Sequence, residues 1–260
     1  MTQTALITGA SSGIGAELAR IHAASKGNLV IVARRADRLQ ALKAELERAH
    51  GVAVTVIADD LTDGDAARRI HAAVQSAGIK VDFLINNAGF GGRGLFHEIP
   101  WTQSLSMIQL NAMALAGLTR AFLPDFVERN SGRILNVTST AAEMPGPLQA
   151  VYFASKAFSA SLSNALAEEL RSTEVTITNF MPAATATEFA ARAGMEGSAL
   201  FANAVSAHEV AQEGYAAMLR GDLDAYGGMG FKRRAMQVLV KMLLKRVQLR
   251  AVRKSQQGPA

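Results

Sequence analysis

The chain has 260 residues, 49% of them hydrophobic and 19% charged, enough for one large α/β domain with a buried core. It holds no cysteine, which excludes disulfides and thiolate metal sites and makes a reducing cytoplasm the expected setting. The net charge of +5 is unevenly placed: residues 231–254 carry nine Lys/Arg and no acid, leaving the rest of the chain at −4, so the basic balance does not point to nucleic acid.

The opening MTQTALITGA lacks the basic region and long apolar run of a secretion signal, and no apolar stretch is long enough to span a bilayer. TALITGA (4–10) reads as a buried strand, and GAELARIHAASKG, ending near Gly27, as a helix. LVIVAR (29–34) is a second strand, followed by the helix of ADRLQALKAELERAHG, and VAVTVIADD (52–60) is a third strand. DAARRIHAAVQSAG is helical, VDFLINNAG (81–89) is a fourth strand, and a long helical stretch covers roughly 101–130. GRILNVTST (132–140) is a fifth strand, 150–172 a helix, and EVTITNFMP (174–182) a sixth strand. Strands that are continuously apolar, not alternating, need cover on both faces. Repeated strand–helix–strand order then implies one parallel, doubly wound α/β sheet of Rossmann type.

In such a sheet ligands sit beyond the carboxyl ends of the strands, near the point where strand order reverses. The polar and Gly-rich pieces TGASSGIG, ARR, ADDLTD, NNAG, VTST and MPAATAT all follow strands and should converge there. Gly9, Gly13 and Gly15 follow the first strand and open a helix, where backbone N–H groups can approach a pyrophosphate. The competing reading is a merely flexible turn. An acid at the end of the second strand would hold the ribose 2′-hydroxyl of NAD, but Arg34 and Arg35 stand there. Arginine pairs with a 2′-phosphate, so NADP(H) is expected over NAD(H). Asp60 and Leu61, after the third strand, are placed to meet the adenine.

These pieces carry a resemblance. TGASSGIG (8–15), NNAG (86–89), Asn111 in IQLNAMA, Ser139 in NVTST and YFASK (152–156), in this order and with Ser139 thirteen residues before Tyr152, resemble the short-chain dehydrogenase/reductase family from residue 4 to about 190. The resemblance implies about seven parallel strands, helices on both faces and a catalytic set of Asn111, Ser139, Tyr152 and Lys156. It also implies cofactor contacts at Gly9, Ser11, Ile14, Asn87, Ala88, Gly89, Lys156 and Thr187, with Tyr152, Ser12 and Pro182 in the same site. Homodimers or homotetramers are implied as well. The chain departs from the family at Pro182–Ala183, where Pro–Gly is usual, so a shifted turn is expected there.

Tyr152 and Lys156 lie one helical turn apart and become neighbours. As a surface pair they would mean nothing; in this family pattern, the ammonium would favour the phenolate and lower the tyrosine pKa. Tyr152 is then the general acid in reduction and base in oxidation. Ser139 orients the substrate oxygen, Asn111 holds a water leading from Lys156 to solvent, and Lys156 also bonds the cofactor ribose. No metal is required. His22, His50, His71, His97 and His208 are scattered without partner motifs and are assigned to packing or surface.

Residues 1–230 are expected to form the catalytic domain. Within it, 188–205, rich in Ala, Phe and Met, serves as a lid over an apolar substrate, with 90–96 and 144–149 as the other walls. Residues 231–260 form a basic tail in which Met236, Val240, Leu243 and Val247 share a helical stripe and Lys241 and Lys245 lie off it. Such a helix can lie on an anionic membrane, giving a peripheral location through 231–254, or pack on the body or a second subunit. The activity this points to is hydride transfer between NADP(H) and an apolar carbonyl or alcohol. The alternatives are a non-catalytic NADP(H) sensor or scaffold and a 3-oxoacyl reductase.

Overall fold

The computed structural model describes residues 2–198, 200–202, 204–230 and 244–256. Seven strands form one parallel sheet: β1 (Thr4–Thr8), β2 (Asn28–Ala33), β3 (Val54–Ala58), β4 (Phe83–Asn86), β5 (Gly132–Val137), β6 (Val175–Pro182) and, at the far edge, β9 (Asp224–Gly227). Their order is β3-β2-β1-β4-β5-β6-β9, so strand order reverses between β1 and β4. Two-residue strands β7 (Thr185–Ala186) and β8 (Val205–Ser206) pair separately.

The continuous apolar runs have the expected cause. In TALIT, Ala5 and Ile7 point to one face and Leu6 to the other, and all three are fully buried. The first face is covered by α1 (Gly13–Ala24), α2 (Ala36–His50) and α8 (Ala207–Arg220), the second by α3 (Ala66–Ser76), α5 (Leu115–Glu128) and α6 (Ala150–Glu169). Helix α4 (Trp101–Ile108) runs into α5 through a π-helical turn, Gln109–Ala114. A short helix α7 (Phe189–Arg192) follows β7, and the basic tail supplies α9 (Lys245–Gln256).

Six of the seven strands match the apolar runs. The seventh, DAYG, has no such run; it is a strand because the edge of β6 offers it a ladder from Asn179↔Asp224 to Pro182↔Gly227. Helix α8, also absent from the elements read along the sequence, starts where the Ser206 hydroxyl accepts the Glu209 N–H at 3.1 Å.

Candidate active site

The strand ends at the reversal point bring the glycine loop against the NNAG segment. Gly9 has φ +67°, a left-handed conformation that glycine adopts without strain, and its N–H bonds the Val32 carbonyl at 2.8 Å. Asn87 then clamps the two loops: its Nδ2 donates to the Thr8 carbonyl at 2.9 Å, while its own N–H and that of Ala88 reach Thr8 Oγ1 at 2.9 and 3.0 Å. This clamp explains Gly15, where a Cβ would lie 2.4 Å from both Asn87 Nδ2 and the Gly9 carbonyl oxygen. Gly15 is thus packed into that contact, where a side chain has no room. Gly15→Ala is expected to lower Tm by about 3–10 °C and to weaken nucleotide binding. An unchanged melting curve and dissociation constant would show that Asn87 can simply yield.

The nucleotide end is built on α1. The Ser12 hydroxyl does not cap the helix; it accepts from Arg35 at 2.8 Å, as Ser11 does at 3.0 and 3.2 Å. The amides of the first turn therefore have no side-chain cap, the arrangement that suits an anionic ligand. Arg35 also donates to Glu188 at 2.9 Å. Arg34 is more exposed and lies 3.8 Å from Asp60.

At the other end of the same cleft, Tyr152 is buried, with Ser139 beside it. Lys156, one turn on and equally buried, donates to the Val137 carbonyl at 2.9 Å. Burial raises the Tyr152 phenol to about 12, an effect the nearby Ser139 hydroxyl only partly offsets. Burial also brings the Lys156 ammonium down to about 8. Burial dominates both shifts. Both charged forms are desolvated, and the ammonium is directed at a carbonyl. At neutral pH the phenol keeps its proton, as a general acid requires.

Asn111 sits in the π-helical turn and is fully buried. Its side chain accepts from the Phe90 N–H at 3.1 Å and donates to the Phe90 carbonyl at 2.9 Å and to Ser155 Oγ at 3.0 Å. Its carbonyl accepts from Ser159 Oγ at 2.8 Å. Asn111 does not line the cleft. What it visibly does is hold the backbone after β4 against α6. A buried polar chain continues from there: Ser163 Oγ donates to the Ser159 carbonyl, Asn136 Nδ2 to Ser163 Oγ, and Asn86 Nδ2 to Asn136 Oδ1, at 2.7 to 2.9 Å. This chain fixes the position of the helix that carries Tyr152 and Lys156. Sequence reading passed over it, because isolated Asn and Ser residues give no periodic signal.

The cleft between these ends has a volume of about 1190 Å³. Of the expected residues, Gly9, Ser11, Ser12, Gly13 and Ile14 line it on the α1 side, with Arg34, Arg35, Asp60 and Leu61 at the ends of β2 and β3. Asn87, Ala88, Gly89, Pro182 and Thr187 line its middle, and Ser139, Tyr152 and Lys156 its floor. Ala183 has no left-handed φ, and its N–H bonds the Gly227 carbonyl at 2.8 Å, so the extra carbon at this position is accommodated without a turn that only glycine could make.

A model of the short chain dehydrogenase family matches residues 3–196. The chain belongs to the short-chain dehydrogenase/reductase family. Its structure resembles that of a short-chain dehydrogenase from Sphingobium yanoikuyae in complex with NADPH, with a TM-score of 0.82 and 32% identity over 93% of this chain and 96% of that one. Human 17-beta-hydroxysteroid dehydrogenase type 3 is 36% identical over 191 residues, 72% of this chain. The very-long-chain 3-oxoacyl-CoA reductase of Bos taurus is 33% identical over 190 residues, again 72% of this chain. The match spans 60% of the length of each of these two curated relatives.

The residues of this family member fit a nicotinamide dinucleotide: uncapped helix amides and Arg35 stand at one end of the cleft, and a protonated phenol and a buried amine at the other. The Tyr152 end of the cleft is flanked by aromatic rings. Phe189 packs on Tyr152 with ring centroids 5.3 Å apart and stacks on Phe201 at 6.2 Å. The tail adds a wall that the sequence did not reveal. Val252 of α9 is buried in one apolar cluster with Met107, Ala141, Tyr152 and Phe153, and Gln256 is hydrogen-bonded to Gln149. Of the expected stripe, Val247 is 47% exposed, so it points away from the body; Met236, Val240, Leu243 and Lys241 lie outside the described residues. Among the described residues, no helix is long and apolar enough to cross a membrane.

Proposed function

We propose that this chain is an NADP(H)-dependent oxidoreductase that interconverts a carbonyl and an alcohol on an apolar substrate, with Tyr152 as its acid/base. The observation that carries this is the buried phenol of Tyr152 beside Ser139 and Lys156, at the floor of a cleft whose far end presents Arg35. A bound nicotinamide supplies or accepts the hydride at the carbonyl carbon. Tyr152 delivers a proton to the carbonyl oxygen in reduction and removes it in oxidation. Ser139 holds that oxygen in place. Lys156 stabilises the phenolate left behind, and Asn111 positions the strand end and helix that frame the pair. Phe189, Phe153 and Val252 exclude water and favour an apolar group next to the carbonyl.

Arg35 supports NADP(H) over NAD(H), since a guanidinium held by Ser11 and Ser12 suits a phosphate better than a hydroxyl. The NADPH complex of the Sphingobium relative agrees with this. Residues 1–230 are taken as the catalytic unit, with 188–205 over the substrate and 231–260 as the basic tail. Exposed Leu105, Met113 and Phe158 on α4, the π-helical turn and α6 support a homodimer or homotetramer. The Lys and Arg residues of α9 support contact with an anionic membrane surface.

The test is NADPH and NADH oxidation against a panel of apolar aldehydes, ketones, steroids and 3-oxoacyl thioesters. Turnover with NADPH and an apolar member is expected. Tight NADPH binding with no turnover across all these classes would favour a sensor or scaffold instead. Turnover confined to the thioesters would select the 3-oxoacyl reductase, the activity for which the bovine relative is named.

A further inference from the structure

Glu188, the first residue of the 188–205 segment, lies between the two halves of the site. Its Oε2 accepts from Arg35 at 2.9 Å and from Arg192 at 3.3 Å, and its Oε1 accepts from Arg38. Three guanidiniums therefore converge on one carboxylate, and Arg38 and Arg35 hold it ionised, down to about 2. Two of them, Arg35 and Arg38, belong to the end of β2 and the first turn of α2, the cofactor side. The third, Arg192, is on α7. Glu188 itself directly precedes Phe189, the ring that packs on Tyr152. One residue thus ties the guanidinium expected to meet the 2′-phosphate to the wall of the substrate pocket.

Arg35 has few donors to spare. Its Nε and Nη2 serve Ser11, Nη2 also serves Ser12, and Nη1 serves Glu188. A 2′-phosphate that pairs with Arg35 brings close to two negative charges beside this carboxylate. The two anions repel and compete for the same fork of donors. A 2′-hydroxyl brings no charge and leaves the carboxylate where it is.

We propose that Glu188 is the chain's own competitor for the 2′-phosphate, and that its displacement by NADP(H), but not by NAD(H), frees the Glu188–Arg192 turn and with it Phe189 over Tyr152. This rests on the NADP(H) preference proposed above. Glu188 acts here as a positioning residue that sets cofactor discrimination and couples it to the substrate wall. The groups are partly exposed, so the coupling is expected to be modest and weakened by salt.

The test compares the wild-type chain with Glu188→Gln and Glu188→Ala in binding titrations with NADPH, NADH, 2′,5′-ADP and 5′-AMP. Both variants are expected to bind NADPH and 2′,5′-ADP about three- to tenfold more tightly, with NADH and 5′-AMP within about twofold of wild type. Hydrogen exchange supplies a readout independent of affinity. In the wild type, 2′,5′-ADP should raise amide exchange over 189–193 and 5′-AMP should not, whereas in both variants that segment should exchange fast without ligand. Variants that bind NADPH no more tightly, or more weakly, would overturn the proposal and make Glu188 an organiser of the arginines. A wild type that binds NADH as well as NADPH would instead sink the cofactor preference on which the proposal rests.

Discussion

Tyr152→Phe is expected to lower kcat/KM for carbonyl reduction by about 10³-fold, within the range that positioned acid–base groups supply. The substitution removes one oxygen. The ring keeps its contacts with Phe153 and Phe189, and Ser139 keeps the Ala141 N–H that its Oγ accepts at 3.1 Å. The melting temperature and the NADPH dissociation constant should therefore stay close to wild type while turnover collapses. That split separates a catalytic proton donor from a packing tyrosine. A Phe variant that keeps more than about a tenth of wild-type kcat/KM would place the acid elsewhere.

Lys156→Met is expected to reduce kcat/KM by about 10²-fold or more and to change the pH profile. In the wild type, burial holds Lys156 near 8 against an ordinary value of 10.5. Its positive charge, which stabilises the phenolate formed during reduction, is present below that pH and lost above it. Reduction should thus be flat through neutral pH and fall above about 8, and the Met variant should lack this descending limb. Tyr152, protonated up to about 12, cannot produce a limb in that range. The stability sign is opposite to that of a paired group. Because the folded pKa is depressed, the unfolded chain binds the proton more tightly, so the cost of burying the charge is full below pH 8 and vanishes as pH rises toward 10.5. The Met variant escapes that cost. Although the Val137 carbonyl loses its donor, Tm at neutral pH should match or exceed wild type. A lower Tm together with an unchanged pH limb would remove Lys156 from the mechanism described here.

The basic tail shows how far a local pattern carries. KRVQLRAVRKSQ is recognisably an amphipathic helix, and α9 is one. Nothing in that stretch says that Val252 will sit beside Tyr152, one hundred residues earlier in the chain, while Val247 faces out. The same holds for Arg35. Its identity and its place after the second strand were legible, and so was its suitability for phosphate. Its partnership with Glu188, and through Glu188 with Phe189, was not.

Strands β1 to β6 and the loops TGASSGIG and NNAG follow from periodicity and from the turn chemistry of neighbouring residues, which depend on separations of a few positions and can be read from one sequence. The motif order further fixes which loops carry chemistry, because a parallel sheet gathers its strand ends on one side. Strand β9 needs the edge of β6, Gly15 needs Asn87 pressed against it, and the opposite pKa shifts of Tyr152 and Lys156 need a roof that excludes water. Each of these depends on groups dozens of residues apart or more being brought together in space. Desolvation, close packing and shared donors exist only once the whole sheet and its covering helices are assembled.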